Sequence, residues 1–333
     1  MVRVKMLYKG VKAADGAPPV VFEHNGCRFI YDAACREYDW LVVYDEMPSK
    51  VGSVSGEAEP LACPRERTIL VTAEPPSIKL YPACYTRQFG YVLTTHTPEQ
   101  LPHPNHLYGE GCLLWCAGYT REEAFSMPEF EKTEGLSVVC SAKQQTHTLH
   151  NSRYQLVKYL SEHLPQMDWY GYGVRELKKK CDVLSPYRYH IGIENYVAPY
   201  HWTDKISDPI LGLCLTFYHG DPRLEEVFPA ESFIRIPIDD PPEACRIIRE
   251  AMENGEYEKR LPAIREARRR LLERYNIFSR VAALIAEKAQ EPVPAMPARP
   301  VLLKGRHRLR RNPLNMIAEG LLLLRVKLGL IKI

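Results

Sequence analysis

The chain has 333 residues, enough for two domains of ordinary size, and its 45% hydrophobic and 26% charged residues are typical of a globular protein. It contains no run of about 18 or more apolar residues, and no charged region followed by an apolar one at its N-terminus, so we expect neither a membrane-spanning helix nor a signal peptide. The net charge is only +3 and the ten cysteines form no CxxC pair, which predicts separate reduced thiols rather than a metal site.

The first third of the chain is predicted to form short strands separated by polar, proline-containing segments. Several of these strands are apolar throughout, which is typical of a parallel sheet buried on both faces. The candidates are VRVKMLY (2–8), RFIYDA (28–33), DWLVVYDEM (39–47), RTILVTAEPP (67–76) and YVLTTHT (91–97).

A second series of strands begins near Leu136 and again alternates with helical segments. Its strand candidates are LSVVCSA (136–142), MDWYGYG (167–173), YRYHIGIEN (187–195), LCLTFYHG (213–220) and SFIRIPIDD (232–240). Apolar periodicity predicts a helix over 150–164. A further helix begins after Asp240, which forms a capping box with Glu243, and a long charged helix is expected over about 259–289.

This alternation predicts an α/β chain with two domains facing a cleft. We expect an N-terminal domain over residues 1–130 and a C-terminal domain over 131–290. A proline-rich linker, EPVPAMPARP, opens the remaining range, 291–333. Because open parallel sheets bind ligands beyond the carboxyl ends of their strands, functional side chains should lie where strands end and helices begin.

The segment after the strand YHIGI fits this expectation. Glu194 and Asn195 end the strand, Thr203 can cap the next helix, and Lys205 lies in its first turn. A helix N-terminus attracts phosphate, and a lysine there adds a full positive charge. The alternative is a solvated lysine that pairs with Asp208.

Two further charged residues are candidates by their position. Arg153 begins a helix that follows the strand LSVVCSA, where a guanidinium can hold a diphosphate with two hydrogen bonds; the alternative is a surface arginine. Glu74 ends the strand RTILVTA and is placed to act as a general base; the alternative is a solvated glutamate. We find no nucleotide-loop, hydrolase or metalloprotease motif, and no metal site is predicted.

The segment from Ile193 to Lys205 also resembles the hallmark of the α-1,3/4-fucosyltransferases of glycosyltransferase family 10. That hallmark is Phe-Glu-Asn, a short spacer, and Val-Thr-Glu-Lys at the start of a helix. Here Ile193-Glu194-Asn195 and Trp202-Thr203-Asp204-Lys205 stand in these places. The resemblance is strong over about 136–240 and patchy over about 65–95, where TAEPPS looks like the family's Glu-containing segment.

The resemblance implies a GT-B fold, that is, two Rossmann-like domains facing a cleft. It also implies inverting, metal-independent transfer of fucose from GDP-fucose to a hydroxyl of a glycan acceptor. No cofactor is implied beyond the donor substrate. Glu74 would be the catalytic base. The residues implied in binding the donor are Arg153, Glu194, Asn195, His201, Thr203, Asp204 and Lys205.

Alternatives remain open at the donor. Asp204 and His201 stand where the family has glutamate and often tyrosine, so another nucleotide sugar fits the pattern, as does a non-catalytic relative that binds glycans or membranes. The expected acceptor is an oligosaccharide or a lipid-linked glycan of the lipopolysaccharide type. We expect a cytoplasmic protein, peripheral on the inner face of the membrane.

The C-terminal tail is predicted to be a basic amphipathic helix. Residues 304–333 carry eight Lys or Arg and one acid, which suits an anionic membrane surface. The alternatives are a helix packed on the body and a homodimer seam. A nucleic-acid partner is not expected because the rest of the chain is net acidic. The apolar residues recur at spacings of three and four: Leu314, Ile317, Leu321, Leu324, Leu328 and Ile331.

Overall fold

A computed structural model describes residues 1–9, 20–48, 50–51, 54–55, 58–109, 117–144, 148–292, 295–296 and 301–332. The chain forms two compact units. Unit 1 comprises Met1–Cys112 and Ile277–Ile333, and unit 2 comprises Leu113–Asn276. This division differs from the expected boundaries at residues 130 and 290, because the last part of the chain returns to the first unit.

Unit 1 is built on a seven-stranded sheet in the order β10-β9-β8-β4-β1-β3-β2. Its pairings are parallel except for β2 with β3, a hairpin at the edge. The elements up to residue 112 are β1 (Val2–Tyr8), β2 (Val20–His24), β3 (Cys27–Tyr31), β4 (Trp40–Tyr44), β5 (Lys50–Val51), β6 (Val54–Ser55), β7 (Ala58–Pro60), β8 (Thr68–Val71), α1 (Ala83–Thr86), β9 (Tyr91–Thr94) and β10 (His106–Tyr108).

Unit 2 is a five-stranded, fully parallel sheet in the order β12-β11-β13-β14-β15. The elements are α2 (Arg121–Phe125), β11 (Glu134–Val139), α3 (His150–His163), β12 (Met167–Tyr170), α4 (Cys181–Leu184), β13 (Tyr187–Ile193), α5 (Asp204–Leu211), β14 (Leu215–His219), β15 (Phe233–Arg235), α6 (Pro241–Glu253) and α7 (Glu256–Glu273). The expected mixed α/β fold with parallel sheets is therefore confirmed in both units.

The strand order of unit 2 creates a crevice at one position. From β11 the chain continues to β12 on one side of β11, and β13 then pairs on its other side. Such a reversal, a topological switch point, is where open α/β sheets bind ligands, beyond the carboxyl ends of the two strands. The crevice between the ends of β11 and β13 is thus the place where the fold favours a site.

The prediction of one long helix over 259–289 is wrong, because the structure has two helices in this range. The chain breaks after α7, where the side-chain amide of Asn276 donates to the carbonyl of Leu272. A new helix, α8 (Ile277–Glu287), then packs on unit 1. Phe278 makes edge-to-face contacts with Phe22 and Phe29, whose ring centroids lie 4.7 and 5.1 Å away. These apolar contacts stabilise α8 on the first unit.

The tail also packs on unit 1. Its elements are β16 (Leu302–Lys304), α9 (Arg306–Arg310) and α10 (Pro313–Lys327). β16 pairs antiparallel with β7, and Leu303 is buried in the core of the unit. Arg306 and Arg310 both bind the carboxylate of Glu319, which fastens α10 to α9.

Most of the predicted proline-rich linker lies outside the described residues. Within the part of the chain that the structure describes, none of the helices has both the length and the apolar character needed to cross a membrane.

Candidate functional site

The site is built where β13 ends and α5 begins. β13 is buried from Tyr189 to Ile193, which fixes its position in the sheet. Thr203 caps α5, and its hydroxyl accepts from the backbone N–H of Lys205 at 3.3 Å. The expected strand, loop and helix start are therefore all present, and Lys205 does lie in the first turn.

Glu194 supports this helix start from beneath. It is fully buried, and its carboxylate accepts from the backbone N–H of Thr203 at 2.8 Å, from the Thr203 hydroxyl at 2.7 Å and from the Tyr218 hydroxyl at 3.3 Å. Burial raises the pKa of Glu194 to about 7, although Lys205 and Thr203 act in the opposite direction. With both oxygens engaged by the protein, Glu194 positions the helix start.

Gly192 brings α5 close to the strand. A Cβ atom at this position would lie 2.2 Å from the carbonyl oxygen of Lys205, which no side chain can tolerate. Because the strand carries a glycine here, the first turn of α5 approaches its backbone directly. The same close approach places Lys205 over the crevice at the switch point.

A cavity of about 170 Å³ occupies this crevice, and we call it the switch-point cavity. It is smaller than the roughly 300–1,000 Å³ of typical ligand pockets, so it fits a charged group of a ligand rather than a whole one. Its lining comes from β11 and the segment after it, from β13, and from the helices α3, α4 and α5 with the N-cap of α4. The residues are Val139, Ser141, Arg153, Lys180, Leu184, His190, Ile191, Asp204, Lys205, Asp208 and Pro209.

Arg153 contributes a buried positive charge to the cavity. Its side chain is 7% exposed, and one terminal nitrogen donates to the carbonyl of Ile193 at a long 3.5 Å. Among the described residues its Nε has no hydrogen-bond partner, and no carboxylate forms an ion pair with it. Burying a guanidinium without a counter-charge is costly. The arrangement therefore favours an anion in the cavity.

Two lysines and two aspartates form a charge cluster beside Arg153. Lys205 binds Asp204 at 2.6 Å, and Lys180 binds both Asp204 and Asp208, the latter at 2.9 Å. The alternative pairing of Lys205 with Asp208 is thus wrong, because Lys180 takes that place. With Arg153 the cavity carries three cations against two carboxylates, a net charge of +1.

The carboxylates of this cluster differ in proton affinity. Burial acts to raise the pKa of Asp204, but Lys205 and Lys180 outweigh it and hold the pKa well below its usual range. Burial raises the pKa of Asp208 to about 6 against the attraction of Lys180. Burial alone would lower the pKa of Lys180, but the negative charges of Asp208 and Asp204 outweigh this effect, so the pKa of Lys180 is raised. Lys180 therefore remains a cation at neutral pH.

Sequence reasoning missed Lys180 and His190. Lys180 closes a run of three lysines before α4, and the run gave no indication of which member faces a cavity. His190 lies inside β13, where its Nδ1 is 2.8 Å from the hydroxyl of Ser137. Burial, assisted by Lys180, lowers the pKa of His190 to about 3, so the ring is neutral. The alternation of side chains along β13 was the only sequence feature that could have indicated which face of the sheet His190 occupies.

Some predicted donor-binding residues lie beside the cavity rather than in its wall. Asn195 is half-buried, and its carbonyl accepts from the backbone N–H of Leu149, which ties the β13 loop to the start of α3. His201 is buried and its ring meets the edge of Tyr196 at 5.3 Å. Thr203 acts as the helix cap. The cavity wall receives Arg153, Asp204 and Lys205 from the predicted set.

Glu74 belongs to unit 1 and lies at the carboxyl edge of its sheet. It follows β8 by three residues, its side chain is exposed, and its carbonyl is bonded to the His96 Nε2 at 2.9 Å. Burial lowers the pKa of His96 to about 4, so this ring is neutral and donates to the carbonyl. The backbone of Glu74 is thereby held by a buried side chain.

The described residues contain no group of three or more His, Cys, Asp or Glu side chains placed to hold a metal ion. The charge cluster of the cavity supplies two carboxylates, and both are occupied by lysines. Its donor set therefore fits an anionic ligand better than a cation.

Comparison with known proteins gives only distant similarities. No protein-family model matches the chain, and a search of curated proteins found no match. An α1,3-fucosyltransferase structure is similar at 13% identity and a TM-score of 0.40, covering 78% of this chain and 81% of that one. A structure of HepE of Anabaena in complex with UDP-glucose is similar at 10% identity and a TM-score of 0.46, covering 77% of this chain and 80% of that one. A structure of T4 phage BGT in complex with UDP and Mn²⁺ is similar at 9% identity and a TM-score of 0.46, covering 86% of this chain and 99% of that one. Since these values are low, we assign no family from them.

Lys180 should contribute to anion affinity. We expect Lys180→Met to weaken binding of inorganic pyrophosphate, measured by isothermal titration calorimetry, by about tenfold or more, since a hydrogen bond to a charged group is worth about 1.5–3 kcal/mol. Lys178→Met, in the exposed part of the same run, is the control. Asp208→Asn, which keeps the ammonium but loosens its attachment, should not weaken binding. Equal affinity of Lys180→Met and wild type would show that Lys180 does not touch the anion.

Glu194 should make stability depend on pH. Its folded pKa of about 7 lies above the ordinary 4.5, so the folded state holds a proton that the unfolded state releases between these values. Its contribution is therefore full below pH 4.5 and is lost as pH rises to about 7.

The matched comparison is Glu194→Gln. Relative to this variant, the unfolding free energy of wild type should fall by as much as about 3 kcal/mol over that range, measured by urea titration. Asp208 and Asp221, whose pKa values are also raised by burial, titrate in both proteins and cancel. Parallel stability curves would contradict the assignment.

Proposed function

We propose that the protein is a glycosyltransferase that binds the diphosphate of a nucleotide sugar in the switch-point cavity. The observation that carries this proposal is the buried guanidinium of Arg153, which has no carboxylate partner among the described residues and lies with Lys180 and Lys205 at the switch point of a parallel sheet. A diphosphate supplies the missing negative charge. The capped N-terminus of α5 adds its positive dipole end to the same place.

The proposed reaction is transfer of the sugar to an acceptor hydroxyl. The acceptor oxygen bonds to the anomeric carbon, the bond from that carbon to the diphosphate breaks, and the electron pair leaves with the nucleoside diphosphate. Glu74 takes the hydroxyl proton. Arg153, Lys180 and Lys205 stabilise the charge that develops on the leaving group, which is often the largest catalytic contribution.

The finer proposal is inverting, metal-independent transfer of fucose from GDP-fucose within a GT-B arrangement. Its support is the motif of Glu194-Asn195 followed by Thr203-Asp204-Lys205, together with the position of Arg153 at the start of α3. Asp204 is one methylene shorter than the glutamate of that motif and is occupied by Lys180 and Lys205. Another nucleotide sugar is therefore the second candidate donor.

Nucleotide binding tests the proposal. In thermal-shift titrations with GDP, UDP and CMP, we expect the wild-type chain to be stabilised by a nucleoside diphosphate. Arg153→Met should lose at least about tenfold in affinity for it, because a bidentate charged contact disappears. Arg246→Met, on the exposed face of α6, is the control. No stabilisation by any nucleotide would contradict the proposed function.

Glu74 should be required for transfer but not for binding. With labelled donor and a panel of glycoside acceptors, we expect Glu74→Gln to lose roughly 10²–10⁴-fold in transfer rate, the usual contribution of a general base. Nucleotide affinity should stay within about twofold of wild type, because the cavity cations are unchanged. Glu99→Gln, at another exposed position of unit 1, is the control. Full activity of Glu74→Gln would eliminate it as the base.

The alternative from another class is a non-catalytic protein that binds glycans or membranes. Slow hydrolysis of the bound nucleotide sugar, lost in Arg153→Met, would support the enzyme. Nucleotide binding without hydrolysis or transfer would favour the non-catalytic protein.

A further inference from the structure

Helix α10 and its C-cap Leu328 expose a stripe of apolar side chains to solvent, and outside this stripe Met316 and Leu323 are 59% and 50% exposed. Leu314, Ile317, Leu321, Leu324 and Leu328 recur at spacings of three and four, and they are 74%, 58%, 56%, 48% and 64% exposed. We call these five residues the leucine stripe. A contiguous apolar surface of this kind is typical of an interaction site.

The opposite side of α10 faces unit 1. Glu319 is buried there, in its ion pairs with Arg306 and Arg310, and Leu322 and Val326 are half-buried on the same side. The ion pairs therefore fix the rotation of the helix about its axis. With this rotation fixed, the leucine stripe is turned away from the body of the unit.

The charges beside the stripe are all positive. Arg325 and Lys327 lie on its two sides and are exposed, and Lys332 follows. Glu319 is the one acidic residue between 301 and 332, and it is engaged on the buried side. Two copies of α10 packed along the stripe would bring Arg325 and Lys327 against like charges in either orientation, without an acid to pair with them. An anionic lipid surface satisfies both the apolar stripe and its basic borders.

The tail is anchored at both ends near the carboxyl edge of the unit 1 sheet. Gly305 and Arg306, at the start of α9, line a cavity of about 90 Å³ with Glu46, which follows β4. After α10, the carbonyl of Lys332 accepts from the side chain of Gln100, in the loop after β9, at 2.7 Å. β8 lies between β4 and β9, and it leads to Glu74. The two anchors therefore flank the edge that carries Glu74.

We propose that α10 docks this edge of unit 1 on an anionic lipid surface and that the acceptor is a glycan carried by a lipid in that surface. The second half rests on the proposed function, and the first half does not. A lipid-borne acceptor would reach the Glu74 edge without leaving the membrane.

Vesicle flotation tests the docking. The wild-type chain should bind vesicles of phosphatidylcholine with phosphatidylglycerol, bind pure phosphatidylcholine weakly, and lose affinity as salt is raised. Leu321→Gln/Leu324→Gln and Arg325→Glu/Lys327→Glu should each lose at least about tenfold in affinity. These positions are exposed, so both variants should fold, which circular dichroism checks. The control is Val20→Gln, an exposed apolar residue on β2.

Amide hydrogen exchange on the vesicles tests the orientation. We expect slower exchange in α10 and in the loops at 45–48 and 97–101, and no change at 64–67 and 104–105, on the opposite edge of the sheet. Protection of α10 alone would overturn the lipid-borne acceptor. Absence of vesicle binding, or a wild-type dimer that the stripe variant dissociates, would overturn the docking. Failure to bind nucleotides would overturn the proposed function and leave the docking result standing.

Discussion

The electrostatics of unit 2 depend on one buried charge. Arg153 lies at the switch point of a parallel sheet, and among the described residues no carboxylate neutralises it. The nearby aspartates are already held by Lys180 and Lys205. Such an arrangement opposes folding unless an anion or water compensates for it. Perturbed buried charges cluster at functional sites, and under the proposed function this cost is preorganisation for a diphosphate.

Structural residues hold this preorganised site in place. Glu194 binds the cap of α5 through three hydrogen bonds, and Gly192 lets the first turn approach the strand. Neither residue lines the cavity, yet both determine where Lys205 lies. A motif residue can therefore position a cavity without lining it, as Glu194 does here.

The sequence predicted the parts of the site that depend on local order. Strand hydrophobicity, the capping threonine and the spacing to Lys205 are properties of adjacent residues, and all three are present in the structure. Lys180 could not be predicted, because its contact with Asp208 joins segments 28 residues apart through tertiary packing. The break between α7 and α8 was hidden for a similar reason. The amide of Asn276 donates to the carbonyl of Leu272 at the break, and Phe278 in the next helix packs on unit 1 through residues more than 240 positions earlier in the chain.

The tail shows the same limit. Its spacing predicted an amphipathic helix, but periodicity cannot tell which side meets the protein. The ion pairs of Glu319 with α9 decide this, since they turn Glu319 inward and the leucine stripe outward. Part of the tail thus packs on unit 1, which agrees with the alternative of a helix packed on the body. The leucine stripe nevertheless remains exposed to solvent.

The most direct test of the central claim is a crystal structure of the chain with a nucleoside diphosphate. The account predicts phosphate oxygens in the switch-point cavity, about 3 Å from the guanidinium of Arg153 and the ammonium of Lys205. A nucleotide bound elsewhere, with Arg153 still free of any anion, would contradict it.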